Sequence, residues 1–409
     1  MIPFPFEAFQ QTYHGAFPDI VISFLGQPLR KSVWKDIAAL VSIRSSPSDD
    51  PFREDADKGC HRTLLRIAKD ACTLMAAHGL LAAFVLGIFG DAARIIRYDH
   101  SGIVASPAFS LRLQPETLRQ FFWRFVHPPV GGTIVGCDPT SRCLTGEELA
   151  WVQECLRRAG ERPLQAPDVC RRVEVYTTGS EAIGNSVGSS QAFFLLRLID
   201  IKGHLFSRFT TVWLAIPDPG GLPTFTHANG PEKLRKVIVK DAWRHLDDRS
   251  EKSIYDRLAS TIPADQYDGL PRLLCGGDLS EMEVAQKVAI ADGTAYEGLT
   301  SYPSQQTFTW RLLEGDLRRH HDRTHTRIVV DVVGRPLTRF RSTREMVLAM
   351  RDAVKGASIF IRVVQALVIG WSRTQASMGT RQSVTSRCER QQYPHCRRAR
   401  RRRVPWVPA

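Results

Sequence analysis

The sequence predicts an α+β fold in two units, followed by a basic tail. Apolar runs with strand character alternate with helix-period segments over residues 1–163, which indicates an N-terminal α/β domain. Residues 171–356 carry several strand patterns and two helix patterns, and they form the second predicted unit. Beyond Gly356 the apolar residues show no clear helical or strand periodicity, so residues 357–409 are predicted to be a disordered tail.

The first unit has well-marked element boundaries. Thr145 and Glu148 form a capping-box pattern at the start of a helix that Gly160 ends. A turn at Gly90-Asp91 joins two strands. The predicted elements are a strand over 38–43, a helix over 62–78, strands over 82–89, 92–98 and 103–106, and helices over 115–126 and 146–159.

The second unit contains more strands than helices. Its predicted strands cover residues 192–199, 210–216, 237–240 and 327–331, and its predicted helices begin near residue 251 and cover residues 342–355. Ser342 and Glu345 form a second capping-box pattern. The apolar side chains of this last helix are expected to face inward: Met346, Val347, Met350 and Val354.

The positive charge is concentrated in the tail. The chain has 55 basic and 42 acidic residues, and residues 357–409 hold eleven arginines and one acid, Glu389. Residues 1–356 therefore keep 44 basic and 41 acidic residues, a net charge of +3. This balance excludes a strongly basic folded surface, and nucleic-acid binding is predicted only as a non-specific property of the tail.

Cysteine spacing and hydropathy limit the class of protein further. The nine cysteines are scattered singly without a C-x-x-C pair, which argues against a zinc site and favours reduced thiols in a cytoplasmic or nuclear protein. The N-terminus lacks the pattern of a secretory signal. The longest apolar stretch, residues 359–371, is too short to cross a bilayer, so no membrane association is expected.

A lysine at the end of an apolar strand suggests nucleotide chemistry. Residues 237–240 read Val-Ile-Val-Lys and match the V-A-I-K strand of protein kinases, whose lysine binds the α- and β-phosphates of ATP. A glutamate on the following helix must hold that lysine. Glu251 is the better candidate for this role, and Asp256 is the alternative.

Other residues of the second unit complete the predicted nucleotide site. The segment from Gly203 to Val212 stands where a glycine-rich phosphate loop belongs, although it keeps only one glycine and the valine. The strand that ends at Asp331 leads to a hinge over residues 332–336. The predicted cofactor-binding residues are Gly203, Val212, Lys240, Glu251 and Asp331.

Longer sequence segments resemble the fungal-type protein kinase domain family across nearly all of residues 1–356. They include Leu205-Phe-Ser-Arg-Phe-Thr-Thr-Val-Trp213, Val239-Lys-Asp-Ala-Trp243, Leu274-Cys-Gly-Gly-Asp278, Arg323-Thr-His-Thr-Arg-Ile-Val-Val330, Arg351-Asp-Ala-Val-Lys-Gly356 and Val135-Gly-Cys-Asp-Pro-Thr140. The resemblance implies a protein-kinase-like fold after an N-terminal α/β domain. It also implies ATP and Mg²⁺ as cofactors and transfer of phosphate to a protein partner, which the sequence does not name.

The sequence departs from the family at the catalytic residues. No H-R-D-x-x-x-x-N loop and no D-F-G motif occurs, and no aspartate follows Asp352. Phosphoryl transfer requires one carboxylate for the hydroxyl proton and another for Mg²⁺. We therefore predict an incomplete, truncated kinase fold without catalytic or metal-binding residues, an inactive fragment or pseudokinase that binds ATP weakly or not at all.

Three other interpretations remain open. An acid from the first unit near Lys240 would support an unusual active kinase. Asp36 with Ser42 and Arg44 has roughly the spacing of a metal nuclease, although serine and arginine replace the required glutamate and lysine, so a structural role is expected. A histidine cluster could suggest a metal, but exposed polar residues are the favoured interpretation: His320, His321, Asp322 and His325.

The tail is predicted to be a frameshift or a gene-model artefact. Resemblance and composition both change at Gly356. Codons compatible with residues 384–396 can read, one base forward, L-H-R-D-A-S-G-N-N-I-L-I-V, which contains the missing catalytic loop. On this hypothesis the arginines have no selected function, and residues from 357 to about 375 derive from untranslated sequence such as a retained intron.

Overall fold

The computed structural model contains two main sheets and five helices in its described residues. It describes residues 18–24, 34–54, 60–127, 134–164, 170–176, 190–203, 206–222, 234–263, 267, 270–279, 283–289, 295–301, 305–309, 322–331, 333–334 and 340–358. The tail from residue 359 onward lies outside this set, as do His320 and His321. The mixed α+β architecture agrees with the predicted fold class.

The N-terminal sheet has a mixed arrangement of strands. Its members are β1 (Ile20–Ser23), β2 (Ile37–Arg44), β3 (Ala83–Phe89), β4 (Ala92–Asp99), β5 (Gly102–Ala105) and β6 (Phe109–Ser110). The order is β1-β2-β3-β4-β5, and β6 also pairs with β4. Helix α1 (Cys60–His78) connects β2 to β3, which run parallel because a crossover separates them, whereas the other pairs are antiparallel.

Helices cover both faces of this sheet. On one face α1 buries Ile67, Leu74 and Met75 completely in a common core with strand residues. On the other face lies α2 (Pro115–Phe125), whose Phe125 ring meets Phe84 at a centroid distance of 5.8 Å. The apolar strands β2 and β3 carry few polar residues because both of their faces are covered.

The second sheet is antiparallel and curled. Its strands are β7 (Ser141–Cys143), β8 (Arg171–Tyr176), β9 (Ser190–Lys202), β10 (Thr210–Pro217), β11 (Val237–His245), β12 (Leu273–Asp278) and β15 (Arg323–Val330). Their order is β12-β15-β11-β10-β9-β8-β7, and β8 contacts β12, so the sheet bends towards closure. A separate hairpin, β13 (Glu283–Ala289) with β14 (Ala295–Ser301), lies between β12 and β15 in the chain.

Alternating side chains fill the inner face of the curled sheet. Val173, Phe193, Val239 and Val329 are almost completely buried there. Helix α3 (Gly146–Arg158) packs on the outer face against Phe194, and α4 (Glu251–Thr261) follows β11. The capping box predicted at the start of α3 is confirmed.

Compact packing joins the two sheets. The described residues up to 259 form one unit with those between 271 and 339, and both predicted boundaries, residues 163 and 171, lie inside it. Strand β7 and helix α3 precede residue 163 yet belong to the second sheet and its outer layer. The described residues of 260–270 and 340–358 belong to a separate unit.

The predicted inward face of the last helix is wrong for three of its four residues. Helix α5 covers residues 343–358, close to the predicted range. Val347 is 56 %, Met350 52 % and Val354 66 % exposed, whereas Met346 is half-buried. Within the described residues no further element packs on these side chains closely enough to bury them, because helical periodicity indicates an apolar face but does not supply its partner.

Two predicted strands are longer than their apolar runs. Strand β11 continues from Lys240 to His245, and β15 begins at Arg323 rather than at Arg327. Most of the added residues are polar or aromatic, and they are buried or half-buried, so the apolar run alone predicts too short a strand in both cases. No helix of the described residues combines the length and apolar character needed to span a membrane.

Candidate nucleotide-binding site

An ion pair joins the predicted lysine and glutamate. The Nζ atom of Lys240 on β11 lies 2.8 Å and 2.7 Å from the two carboxylate oxygens of Glu251. Glu251 is the first residue of α4, where Ser250 accepts a hydrogen bond from the Ser253 backbone N–H. The alternative acid, Asp256, binds Lys252 at 2.5 Å instead, so the geometry favours Glu251.

The side chain of Lys240 lies on an apolar face of the second sheet. Val212 of β10 and Ile328 of β15 are the direct cross-strand partners of Lys240, so the three side chains share one face. Ile238 lies on the same face because alternate strand residues point the same way. Val212 and Ile238 are half-buried, which leaves this face partly open.

Gly203 is explained by packing rather than by a ligand. A Cβ atom at this position would lie 2.8 Å from the Phe209 ring. Phe209 itself has a φ of 37°, a backbone conformation that few residues other than glycine adopt, and its ring lies 4.8 Å from that of His100. The described part of this loop is therefore fixed against the N-terminal sheet, and one glycine supplies little of a phosphate cradle.

Asp331 joins two strand ends. Its carboxylate accepts the Arg272 backbone N–H at 2.9 Å, and its own N–H donates to the Arg272 carbonyl at 3.1 Å. These bonds fasten the end of β15 to the start of β12. The structure thus brings Val212, Lys240 and Glu251 together, while Gly203 and Asp331 have contacts of their own that explain them.

A strand lysine held by a glutamate on the following helix is the arrangement by which protein kinases position the lysine for ATP. A family model described as fungal protein kinase matches residues 23–367. The chain belongs to the fungal protein kinase family. The match covers both sheets and ends beyond Gly356, and no curated protein and no solved structure gave a match.

The opposite face of this kinase-like sheet contains a buried charge network that the sequence analysis missed. Arg327 of β15 donates from Nε to Asp241 at 2.7 Å and from one terminal nitrogen to Asp138 at 2.7 Å. Its other terminal nitrogen donates to the Thr140 hydroxyl at 2.8 Å. The side chains of Arg327 and Asp138 are each only 2 % exposed.

The partners of these buried groups favour their charged forms and outweigh the effect of burial on their pKa values. Burial raises the pKa of Asp138, but the charge of Arg327, the neighbouring His325 and hydrogen bonds from Thr140 and Arg327 together outweigh this effect and hold the pKa below its ordinary value. The pKa of Asp241 is lowered for the same reason. The two carboxylates in turn raise the pKa of Arg327 above its ordinary value, although burial acts in the other direction. All three groups therefore remain charged.

His325 extends the network, and His325 and Asp322 are both buried, so the interpretation of this cluster as exposed polar residues is wrong for these two. Its Nδ1 atom lies 2.6 Å from Gln305 Oε1, and its Nε2 atom lies 3.4 Å from Asp241. Gln305 also donates to Asp138 at 2.8 Å, and the His325 ring stacks on Trp243 at 4.9 Å. No group of three metal-binding side chains occurs among the described residues.

The other two interpretations receive no structural support. Ser42 and Arg44 contact Asp19, at 3.5 Å and 3.1 Å, rather than meeting a carboxylate cluster. Among the described residues, the carboxylate that binds Lys240 is that of Glu251. The buried acid from the first predicted unit, Asp138, binds Arg327 on the opposite face, so it cannot serve chemistry at Lys240 from that position.

The missed network left a weak signal in the sequence. The words around Asp138 and Arg327 were among those that carry the family resemblance, but no chemistry was assigned to either residue. Every residue of the β15 run Arg-Thr-His-Thr-Arg-Ile-Val-Val is buried, including its arginines. A buried guanidinium group needs a carboxylate partner. That reasoning predicts a partner but cannot say which acid it is.

Proposed function

We propose that this protein contains a kinase-like small lobe in which Lys240 is positioned for the phosphates of a nucleotide, but that it binds nucleotide weakly or not at all and transfers no phosphate with the residues of this sequence. The pair between Lys240 Nζ and both Glu251 oxygens carries the first half of the proposal. When bound, ATP with Mg²⁺ would supply the phosphoryl group, and Lys240 would hold the α- and β-phosphates.

The second half of the proposal rests on absent carboxylates. The sequence has no H-R-D-x-x-x-x-N or D-F-G motif, and Glu389 is its sole acid after Asp352. No residue is then assigned to take the hydroxyl proton or to hold Mg²⁺. The packing of Phe209 against Gly203 also disfavours a phosphate cradle in this loop. Lys240 is therefore suited to nucleotide phosphates, but the loop at Gly203 is not.

Calorimetric titration with Mg-ATP tests nucleotide binding. We expect weak binding or none, and the same result for Lys240→Ala. Lys252→Ala is the matched control, because Lys252 lies on the neighbouring helix and pairs with Asp256. Micromolar affinity that disappears in Lys240→Ala but persists in Lys252→Ala would contradict the proposal that this site binds nucleotide poorly.

A transfer assay tests activity separately. Incubation with γ-labelled ATP and a general protein acceptor is expected to give no label above the level of Lys240→Ala, on the acceptor or on the chain itself. Label that depends on Lys240 would show an active kinase, and it would require carboxylates that the sequence comparison does not identify.

The transcript around codon 356 decides the origin of the tail. If the frameshift hypothesis is right, the codons of residues 384–396 read His-Arg-Asp in the shifted frame. A stop codon there, or codons incompatible with those residues, would contradict the frameshift hypothesis and favour a basic tail that is a genuine product. In that case its net charge of +10 favours a second candidate function, non-specific nucleic-acid binding.

A mobility assay then tests that second function. Binding to duplex DNA should weaken steeply with salt and disappear when residues 387–409 are removed. Binding that survives this deletion would locate the contact elsewhere in the chain and contradict a role for the arginine tail.

A further inference from the structure

The strand that carries Lys240 is held from its other face. Asp241 follows Lys240 directly on β11 and points to the opposite side of the sheet. It pairs in register with Arg327 of β15, whose Nε donates to its carboxylate at 2.7 Å. Any rotation of the strand that moves Lys240 must also move Asp241, because neighbouring residues share one backbone.

Asp138, the other carboxylate of this network, is anchored to the N-terminal sheet. Two residues before it, the Gly136 carbonyl accepts the Leu81 N–H at 2.8 Å, and Val135 donates its N–H to the Phe125 carbonyl at 2.9 Å. Gly136 lies so close to the Ala82 carbonyl that a Cβ atom would approach it to 2.2 Å, and its φ is 99°. Asp138 therefore reaches Arg327 from a fixed position.

A second contact between the sheets lies beside the first. His100, in the turn between β4 and β5, stacks on Trp243 of β11 with a centroid distance of 4.4 Å. Trp243 stacks in turn on His325, which Gln305 links to Asp138. Strand β11 is thus held at Asp241 and Trp243, the first and third residues after the lysine.

The ion pair on the open face is too weak to set the strand position alone. Lys240 and Glu251 are 31 % and 28 % exposed, and pairs with this much solvent contribute little. The buried network makes several short, charge-assisted hydrogen bonds away from water, which fix geometry more firmly.

We propose that Asp138 and Arg327 are positioning residues for Lys240, which act through Asp241, so that the N-terminal sheet sets the geometry of the Lys240–Glu251 pair. The proposal rests on the proposed function only for the role of Lys240 towards a nucleotide. The geometric statement itself concerns the pair without any ligand.

Competitive acetylation of the full-length chain measures this geometry. A lysine nitrogen held by two carboxylate oxygens reacts slowly with acetic anhydride, and mass spectrometry gives the rate for each lysine. We expect Asp138→Asn and Arg327→Met to raise the rate at Lys240 roughly fivefold, the factor that corresponds to loss of an ion pair of about 1 kcal/mol. Lys236 and Lys252 serve as internal references, because each has its own acidic partner.

A matched variant separates positioning from general destabilisation. Asp50→Asn removes another buried carboxylate that binds an arginine, Arg94, at 2.7 Å within the N-terminal sheet. It should leave the rate at Lys240 unchanged. An unchanged rate in folded Asp138→Asn and Arg327→Met, or an equal rise in Asp50→Asn, would overturn the proposal.

Hydrogen exchange of the unaltered chain decides the matter if the variants do not fold. We expect the amides of β11 and those of Asp138 and Thr140 to exchange with the same opening free energy, because they open together. Earlier, independent opening of residues 138–140 with β11 still protected would overturn the proposal. Neither measurement needs a nucleotide, so a failure of the proposed function leaves both results interpretable.

Discussion

On one face of the second sheet, Lys240 and Glu251 meet with 31 % and 28 % of their side chains exposed, whereas on the other face Arg327 and Asp138 are each 2 % exposed. Both are ion pairs at about 2.7 Å, so distance does not distinguish them. Solvent exposure distinguishes them, because the open pair can exchange its partner for a ligand or water, while the buried groups are bonded to other protein groups.

The difference separates binding from architecture. A partly exposed lysine is available to phosphate oxygens at small cost to the fold. Removing one member of the buried network leaves a carboxylate without compensation in a region of low dielectric. The same chemical interaction therefore serves a candidate ligand site on one face and the junction of two sheets on the other.

The largest expected effect comes from Arg327→Met. This change keeps most of the side-chain volume but leaves Asp138 and Asp241 without their cation, so we expect the free energy of unfolding to fall by about 3–5 kcal/mol. Urea unfolding followed by circular dichroism measures it. Arg119→Met is the control, since Arg119 pairs with Glu116 while 73 % exposed, and it should change stability by less than about 0.5 kcal/mol. Equal losses of stability in Arg327→Met and Arg119→Met would contradict the distinction between the buried and the exposed ion pairs.

Asp70 tests whether pairing or burial decides the state of an acid. It is buried in α1, and among the described residues it forms no ion pair. Burial raises its pKa to about 7, although the charge of Arg66 acts in the opposite direction. The fold thus favours the protonated acid, so its contribution is complete below the ordinary value of 3.8 and is lost as the pH rises through about 7.

Asp70→Asn should therefore stabilise the protein at pH 8 by about 2 kcal/mol and have less effect at pH 4. Unfolding curves at both pH values measure the difference. Asp91→Asn, in the exposed turn after Gly90, is the control and should show no such pH dependence. An equal change from Asp70→Asn at both pH values would show that ionisation of Asp70 is not the cause.

The paired acids predict the opposite pH dependence. Arg327 holds the pKa values of Asp138 and Asp241 below the ordinary value of 3.8, so their stabilisation is present above that pH and is lost as the pH falls through the lowered values. Asp138→Asn should flatten the loss of stability between pH 5 and acid unfolding. An unchanged acid limb in this variant would contradict the assignment of that loss to the network.

The smallest expected effect is that of Lys240→Met. Because the pair with Glu251 is partly exposed, we expect the free energy of unfolding to change by less than about 1 kcal/mol. The same urea titration places this variant beside Arg327→Met. A fall of more than about 2 kcal/mol in the free energy of unfolding would show that the ion pair on the open face also stabilises the fold, and would contradict the distinction between the two faces.

Local patterns predicted the candidate site only in part. Lys240 and Glu251 are eleven positions apart, and the chain between them contains a strand end, a turn and a helix cap, so the pair could be expected from the sequence. Gly203 was placed in a phosphate loop by its position in the chain, but its role is to accommodate the Phe209 ring. Nothing near Gly203 in the sequence indicates that a phenylalanine six residues later turns back over it.

The sequence alone determined the elements whose signals are local. Helix α1 follows from its apolar period, the β3–β4 hairpin from the turn at Gly90, and the start of α3 from the Thr145 cap. Each involves residues within a few positions of one another, where backbone geometry dictates the spacing of side chains.

Only the tertiary structure decided which distant residues meet. Asp138 and Arg327 are 189 residues apart, and the short polar strand β7 joins the second sheet although it lies within the first predicted unit. Apolar periodicity states that a face will be buried, but hydrophobic attraction has no direction and does not name its partner. The partner of a buried charge is fixed by the packing of whole sheets, and no local pattern records that packing.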